Sequence, residues 1–486
     1  MPADTHPLDL DACELSEAIH ARRVSCRELM DACLARIEAL NPAVNAIVSL
    51  RAHDALRAEA DARDAELARG TSRGWLHGMP LAVKDTTATA GLRTTFGSPL
   101  FADHVPAHDA IVVERMKRAG AIVIGKTNVP EFGLGSHTYN PVFGTTRNAW
   151  DARRSAGGSS GGAAVALALR LLPVADGSDV MGSLRNPAAF GNVFGMRPST
   201  GRVPGGPLGD LYVSQLGTEG PLARRVRDLA MLLAIQAGHD ARAPLSIAED
   251  GGDFAEPLQA HPRGLRIGWL GDLGGYLPME RGILDVCAGA LRRLEGLGCA
   301  VEPLALGHSP AALWRCWLTW RSWLIAGRLA PHHANPAERE RLKPEARWEV
   351  EHGLRLSAAD VHAGSLERSA FHRQLLRLFE RVDVLALPSA QVWPFDAALD
   401  WPKAIEGTTM DTYHRWMEVT LYATLGGLPA ISVPAGFGAR GLPMGLQLIG
   451  APHADRAVLQ LAAAYETCIG DLLARRPTLG TRLAAS

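Results

Sequence analysis

Neither sign of charge dominates this chain: 50 basic residues are set against 51 acidic ones over 486 positions, a net charge of −1. That balance leaves no electrostatic footprint for DNA, RNA or an anionic bilayer, so neither a nucleic acid nor a membrane is expected as a partner. Long hydrophobic runs are missing too, and without about 18 consecutive apolar residues no spanning helix of the usual kind is expected. Met1 to Pro7 lack the basic start and apolar centre of a secretory signal, and a cytoplasmic location is expected. The seven cysteines (Cys13, Cys26, Cys33, Cys287, Cys299, Cys316 and Cys468) are scattered and form no C-x-x-C pair, which reads as reduced, mostly buried thiols. No H-E-x-x-H spacing occurs, and His332-His333, beside Pro331, reads as a surface loop and not as a metal site. What remains, 47% hydrophobic and 21% charged, is ordinary globular composition.

Against that plain background one stretch stands out. Ser155 to Ala164 reads S-A-G-G-S-S-G-G-A-A, Gly177 to Arg185 reads G-S-D-V-M-G-S-L-R, and an isolated lysine lies upstream at Lys84 in L-A-V-K-D. A lone glycine-serine run is usually a loop. Here the run is followed by Ala163 to Leu172, rich in Ala and Leu and suited to a buried helix, so Ser159 sits where a loop enters a helix. Unpaired backbone N–H groups at such an entry favour an anion or a developing oxyanion. Gly157 to Gly161 formally matches the G-x-S-x-G elbow of α/β-hydrolases, but Asn148 to Ser155 is polar where an elbow needs a hydrophobic strand. The glycines also lack the G-K-[ST] ending of a P-loop and the G-x-G-x-x-G context of a dinucleotide site.

Further blocks accompany these in order: Ala119 to Asn128 with Glu131-Phe132, Asn140-Pro141 with Phe143-Gly144, Gly195 to Val203, Gly220 to Arg224, and Leu428 to Pro434. Together with Leu81 to Asp85 and the two serine turns, they resemble the amidase signature family from about Leu8 to about Ala464. The resemblance implies an α/β fold, a single large mixed β-sheet covered by helices on both faces. It implies Ser183 as nucleophile, Ser159 as a bridging serine after a cis Gly158–Ser159 bond, and Lys84 as general base. The oxyanion would be held by the backbone N–H groups of Val180, Met181, Gly182 and Ser183, with no metal or organic cofactor. Chemistry is consistent with that assignment. A serine hydroxyl needs an adjacent base, and lysine is a base only when burial penalises its ammonium form. On a strand, Asp85 points away from Lys84 and need not neutralise it.

One position departs from the family pattern, since the residue before Gly182 is commonly glycine and here is Met181. Its side chain is expected to enter the substrate pocket or to pack beneath it. Arg185 matches a family arginine by position and is read as support for the loop, Asp179 as a brace for the same turn, and Ser160 as support for the helix start.

The whole chain, 1–486, is expected to be one domain, with a core at about 8–270 and 376–480 and a variable helical segment at about 271–375. Two amphipathic helices are predicted over 9–39, the second opened by the capping box Ser25 to Glu28, and another over 52–69. Strands are expected at Leu81 to Val83, Ala121 to Ile124, Leu265 to Leu270, Val382 to Leu387, Ala430 to Val433 and Met444 to Ile449, and the family resemblance implies that all lie in one mixed sheet. Trp314, Trp317, Trp320 and Trp323 recur every third residue. Such a stripe is usually a core face, and the sharper expectation is that Trp317 and Trp320 line the substrate pocket. Trp393 and Trp401 are placed near its entrance. The expected activity is hydrolysis of a small to medium, hydrophobic or aryl amide, with esters, anilides or carbamates as further substrates. Two alternatives stay open: a glutaminase subunit of a tRNA-dependent amidotransferase, and a catalytically inactive binding protein on the same fold. Besides a small-molecule amide, a second copy of the chain in a homodimer is left open as a partner.

Overall fold

The computed structural model describes residues 6–207, 209–477 and 479. The first two α-helices start at side-chain caps. Asp11 accepts the Glu14 N–H while the Glu14 carboxylate accepts the Asp11 N–H, opening Ala12–His20, and Ser25 with Glu28 does the same for Cys26–Val44. The second of these helices buries Leu29, Met30, Cys33, Leu34 and Ile37, a row at helical spacing. A third helix, His53–Ala68, precedes the first long strand.

Strands β1 (Ile47–Val48), β2 (Pro80–Lys84) and β3 (Ile122–Thr127) form a three-stranded sheet in the order β1-β3-β2, with β2 parallel to β3. A small hairpin of β4 (Tyr139–Asn140) and β5 (Gly144–Thr145) follows. The main sheet takes β6 (Val174–Asp179), β7 (Phe194–Arg197), β8 (Thr218–Ala223), β9 (Arg266–Trp269), β10 (Ala300–Pro303) and β11 (Val384–Pro388). A second hairpin, β12 (Ala404–Ile405) with β13 (Thr408–Thr409), intervenes before β14 (Ala430–Phe437) and β15 (Pro443–Gly450) complete that sheet. Its eight strands run β10-β9-β11-β15-β14-β7-β8-β6. The pairs β9–β10 and β9–β11 are parallel and the rest antiparallel, so the sheet is mixed. With its helices this is an α/β fold.

Two expectations need correction. The strands at Leu81 and Ala121 do not join the large sheet. Where β2 meets β6, the Lys84 N–H donates to the Asp176 carboxylate at 3.2 and 3.3 Å in place of a strand carbonyl, so the ladder is interrupted by a side chain. His332 and His333 are not in a loop but in the last turn of the helix Pro310–Ala334, where Pro331 removes only a terminal backbone bond. His332 Nδ1 there lies 2.7 Å from Glu338 Oε2. All seven cysteines are free, five of them buried. Among the described residues no helix is long and apolar enough to cross a membrane.

Candidate active site

Strand β6 delivers the core of the site. A strand sends alternate side chains to opposite faces, so Asp176 and Ser178 face Lys84 while Asp179 points the other way. Asp179 Oδ1 accepts the Gly182 N–H at 2.9 Å and Oδ2 the Leu184 N–H at 3.2 Å, bracing the turn that carries Ser183. Arg185, fully buried at the start of helix Arg185–Gly191, donates to both Asp179 oxygens at 3.0 Å and to Gln447 Oε1 at 2.7 Å. Burial opposes the Asp179 charge, but Arg185 and Arg197 outweigh it and hold the carboxyl below its usual range.

The glycine-serine run is tightly packed, and its neighbours leave no room for side chains at the glycines. A Cβ at Gly162 would stand 2.4 Å from the Asn128 N and 2.5 Å from the Ala46 carbonyl, so only glycine lets this helix start pack against the chain beside β3. The Gly158–Ser159 peptide bond is cis. Lys84, fully buried, meets the run from β2. Its Nζ lies 2.9 Å from each of the hydroxyls of Ser159, Ser160 and Ser178, and 3.3 Å from the Ser178 carbonyl. Burial lowers the lysine to about 8 against the opposing pull of Glu219, Asp176 and Asp179. Asp85 is turned away, accepting from the Thr95 N–H at 3.1 Å and its hydroxyl at 2.5 Å.

Ser159 and Ser183 both open onto one cavity of about 440 Å³, whose walls include Phe132, Val180, Leu216 and Ile325. Their hydroxyls form no hydrogen bond to each other among the described residues; the two turns are joined instead by the Ser160 N–H, which donates to the Ser183 carbonyl at 3.2 Å. The oxyanion expectation is narrowed by the turn itself. Gly182 takes the left-handed backbone, φ +81°, and its N–H is directed to Asp179, so it is not a free donor. The N–H groups of Val180, Met181 and Ser183 have no acceptor among the described residues.

Of the two readings of Met181 the second holds, and three other expectations are corrected. Met181 is 1% exposed and packs in the hydrophobic core beneath the turn, not on the cavity wall. Ser160 does start the helix Gly161–Ala168, its carbonyl accepting the Ala164 N–H at 3.1 Å, yet its hydroxyl caps nothing and belongs to the lysine. Trp317 and Trp320 do not line the cavity: Trp317 is fully buried near His414 and Arg321, and Trp320 packs against Trp323 and Arg368. The same helix instead contributes Arg321, Leu324, Ile325 and Arg328 to the wall. Arg321 is held by Glu349 at 2.5 Å and the Tyr413 hydroxyl at 2.7 Å. Trp393 and Trp401 lie away from this cavity as well. The first donates its indole N–H to the Arg281 carbonyl at 3.1 Å, and the second stacks under Lys403. Sequence reasoning passed over Asp176, Ser178 and Glu219; extending the strand from Val174 to Asp179 would have put the first two on the lysine's face.

A base whose hold on its proton is weakened by burial, serine hydroxyls around it, and free N–H groups beside a second serine can together carry out acyl transfer. A family model described as Amidase matches residues 28–459. The chain is 36% identical to the A subunit of the glutamyl-tRNA(Gln) amidotransferase of Moorella thermoacetica, over 97% of this chain and 99% of that protein. It is 34% identical to an acylamidase of Rhodococcus erythropolis, over 94% and 95%. A bacterial aryl acylamidase of the amidase signature enzymes superposes with a TM-score of 0.89 at 30% identity, covering 96% of this chain and 99% of that one.

Proposed function

This chain belongs to the amidase family and is an amidohydrolase, and from that premise we propose that it cleaves a small to medium amide with a hydrophobic or aryl acyl group through Ser183, Ser159 and Lys84. Ser183 attacks the carbonyl and its proton passes through Ser159 to the Lys84 amine. The tetrahedral oxyanion is held by the N–H groups of Val180, Met181 and Ser183. The proton then returns to the leaving nitrogen, the C–N bond breaks, and water releases the acyl group by the same relay. The single observation that carries this reading is the fully buried Lys84 amine among three serine hydroxyls, with no carboxylate of the described residues hydrogen-bonded to it. The cavity volume and its apolar walls of Phe132, Val203, Leu216 and Leu324 support a hydrophobic acyl group.

A second reading, the glutaminase subunit of an amidotransferase, is favoured by the likeness to the Moorella protein over nearly the full chain. One experiment separates them. The purified chain, assayed alone on a panel of amides, anilides, esters and glutamine, is expected to hydrolyse an aryl or hydrophobic amide without partner proteins. Ser183→Ala and Lys84→Ala should each lower that activity by about 10⁴-fold or more at every pH. Activity on glutamine alone, and only with added partner proteins, would select the second reading.

A further inference from the structure

Strands β6 and β8 pair antiparallel, and the register sets Glu219 directly opposite Ser178. Opposed residues in such a pair project from the same face, and Ser178 Oγ is one of the three hydroxyls at 2.9 Å from Lys84 Nζ. Glu219 lines the catalytic cavity together with Ser178 and Ser183. Its Oε2 is buried and has no hydrogen-bond partner. The remaining charged groups around the lysine are all engaged. Asp176 accepts the backbone N–H of Lys84, Asp179 is clamped by Arg185 and reached by Arg197, and Asp85 is bonded to Thr95. Lys126, on β3, donates to the Thr87 carbonyl at 2.6 Å and to Thr89 Oγ1 at 2.9 Å. A buried carboxylate oxygen without a donor destabilises the fold, so Glu219 is hard to explain as a structural residue.

We infer that Glu219 is a positioning residue for the catalytic base, a carboxylate whose charge sets whether the Lys84 amine carries two protons or three. The inference rests on the Ser183, Ser159 and Lys84 reading above. When ionised, Glu219 favours the ammonium that forms as Ser183 is acylated; when protonated, or replaced by an amide, it releases that hold. Burial raises Glu219 to about 7, with Asp176 adding to the rise and Lys84 and Lys126 opposing it, while Lys84 stands near 8. The two groups therefore titrate as a pair over one narrow range.

Removing a negative charge beside a cation makes the cation easier to deprotonate, so the sign of the effect is fixed. The rate of Ser183 modification by an arylsulfonyl fluoride, followed by intact mass against pH, reads the neutral fraction of Lys84 without reference to any amide substrate. Glu219→Gln is expected to move the acidic limb down by about one pH unit and to lower the plateau, because a less basic amine takes the proton less readily. Glu219→Asp, which keeps the charge, should retain the wild-type limb. An unmoved limb in Glu219→Gln, with thermal unfolding showing a folded variant, overturns the inference. So does a change confined to KM for amides, which would make Glu219 a substrate contact. If the reagent fails to label Ser183 in the wild-type protein while amides are still hydrolysed, the nucleophile assignment itself falls, and the inference with it.

Discussion

Lysine is an unusual base because its amine is protonated far above neutral pH in water, and the proposed role of Lys84 rests on burial, which lowers it to about 8. Lys84 is fully enclosed, and its hydrogen-bond partners are hydroxyls and a carbonyl, none of which favours the ammonium as a carboxylate would. Gly182 is the other residue on which the proposed chemistry depends. It combines φ +81° with a setting in which a Cβ would come within 2.6 Å of the Thr420 side chain, itself buried. Gly182→Ala must therefore shift the turn that aims Ser183 and its neighbouring N–H groups. We expect kcat to fall by about 100-fold or more with KM little changed, since a displaced oxyanion donor acts in the transition state; unaltered kcat in steady-state kinetics would show that the turn tolerates a side chain. That Lys84 meets Ser159, and that Ser159 and Ser183 share one cavity, agrees with the grouping implied by the family resemblance, which the glycine-serine turns and the isolated lysine helped to carry. The direction of Met181 was not legible in the sequence, since a side chain beside a reactive turn can face either way and only packing decides.

At the scale of elements, the helix Pro310–Ala334 explains why the pocket was misjudged. Three residues turn a helix by about 300°, so each tryptophan in the stripe lies about 60° behind the last. Trp314 and Trp317 are buried while Trp320 and Trp323 emerge to half-burial, tracking across the core side. The cavity face is made by Arg321, Leu324, Ile325 and Arg328, at the i, i+3, i+4, i+7 spacing of a single face. Those residues carry no aromatic flag and two of them are charged, so they read as an ordinary helix surface. Trp317→Ala is accordingly a packing change. It should destabilise the protein by about 3–5 kcal/mol, seen as a lower urea midpoint, and leave the order of preference among amides as it was; a reordered preference would return Trp317 to the pocket. The strands show the same limit. Clean apolar runs such as Val384–Pro388 and Pro443–Gly450 were found, whereas β7, β8 and β10, broken by glycine, glutamate and proline, were not.

Over the whole molecule the two sheets meet at the site. Strand β2 of the small sheet brings Lys84, strands β6 and β8 of the large one bring Ser178 and Glu219, and the helix Pro310–Ala334 closes the cavity with Arg321 and Ile325. Family resemblance reported the general architecture but not this division, because the seam is made by the Asp176 carboxylate, a side-chain event invisible to strand periodicity. The central claim is that an acyl group passes through Ser183. Rapid quenching of the enzyme during turnover of an activated aryl ester or anilide, followed by peptide mapping by mass spectrometry, tests it most directly. The account predicts an acyl increment on the peptide bearing Ser183, absent in Ser183→Ala; an increment on Ser159 or another residue, or steady amide hydrolysis by Ser183→Ala, would contradict it.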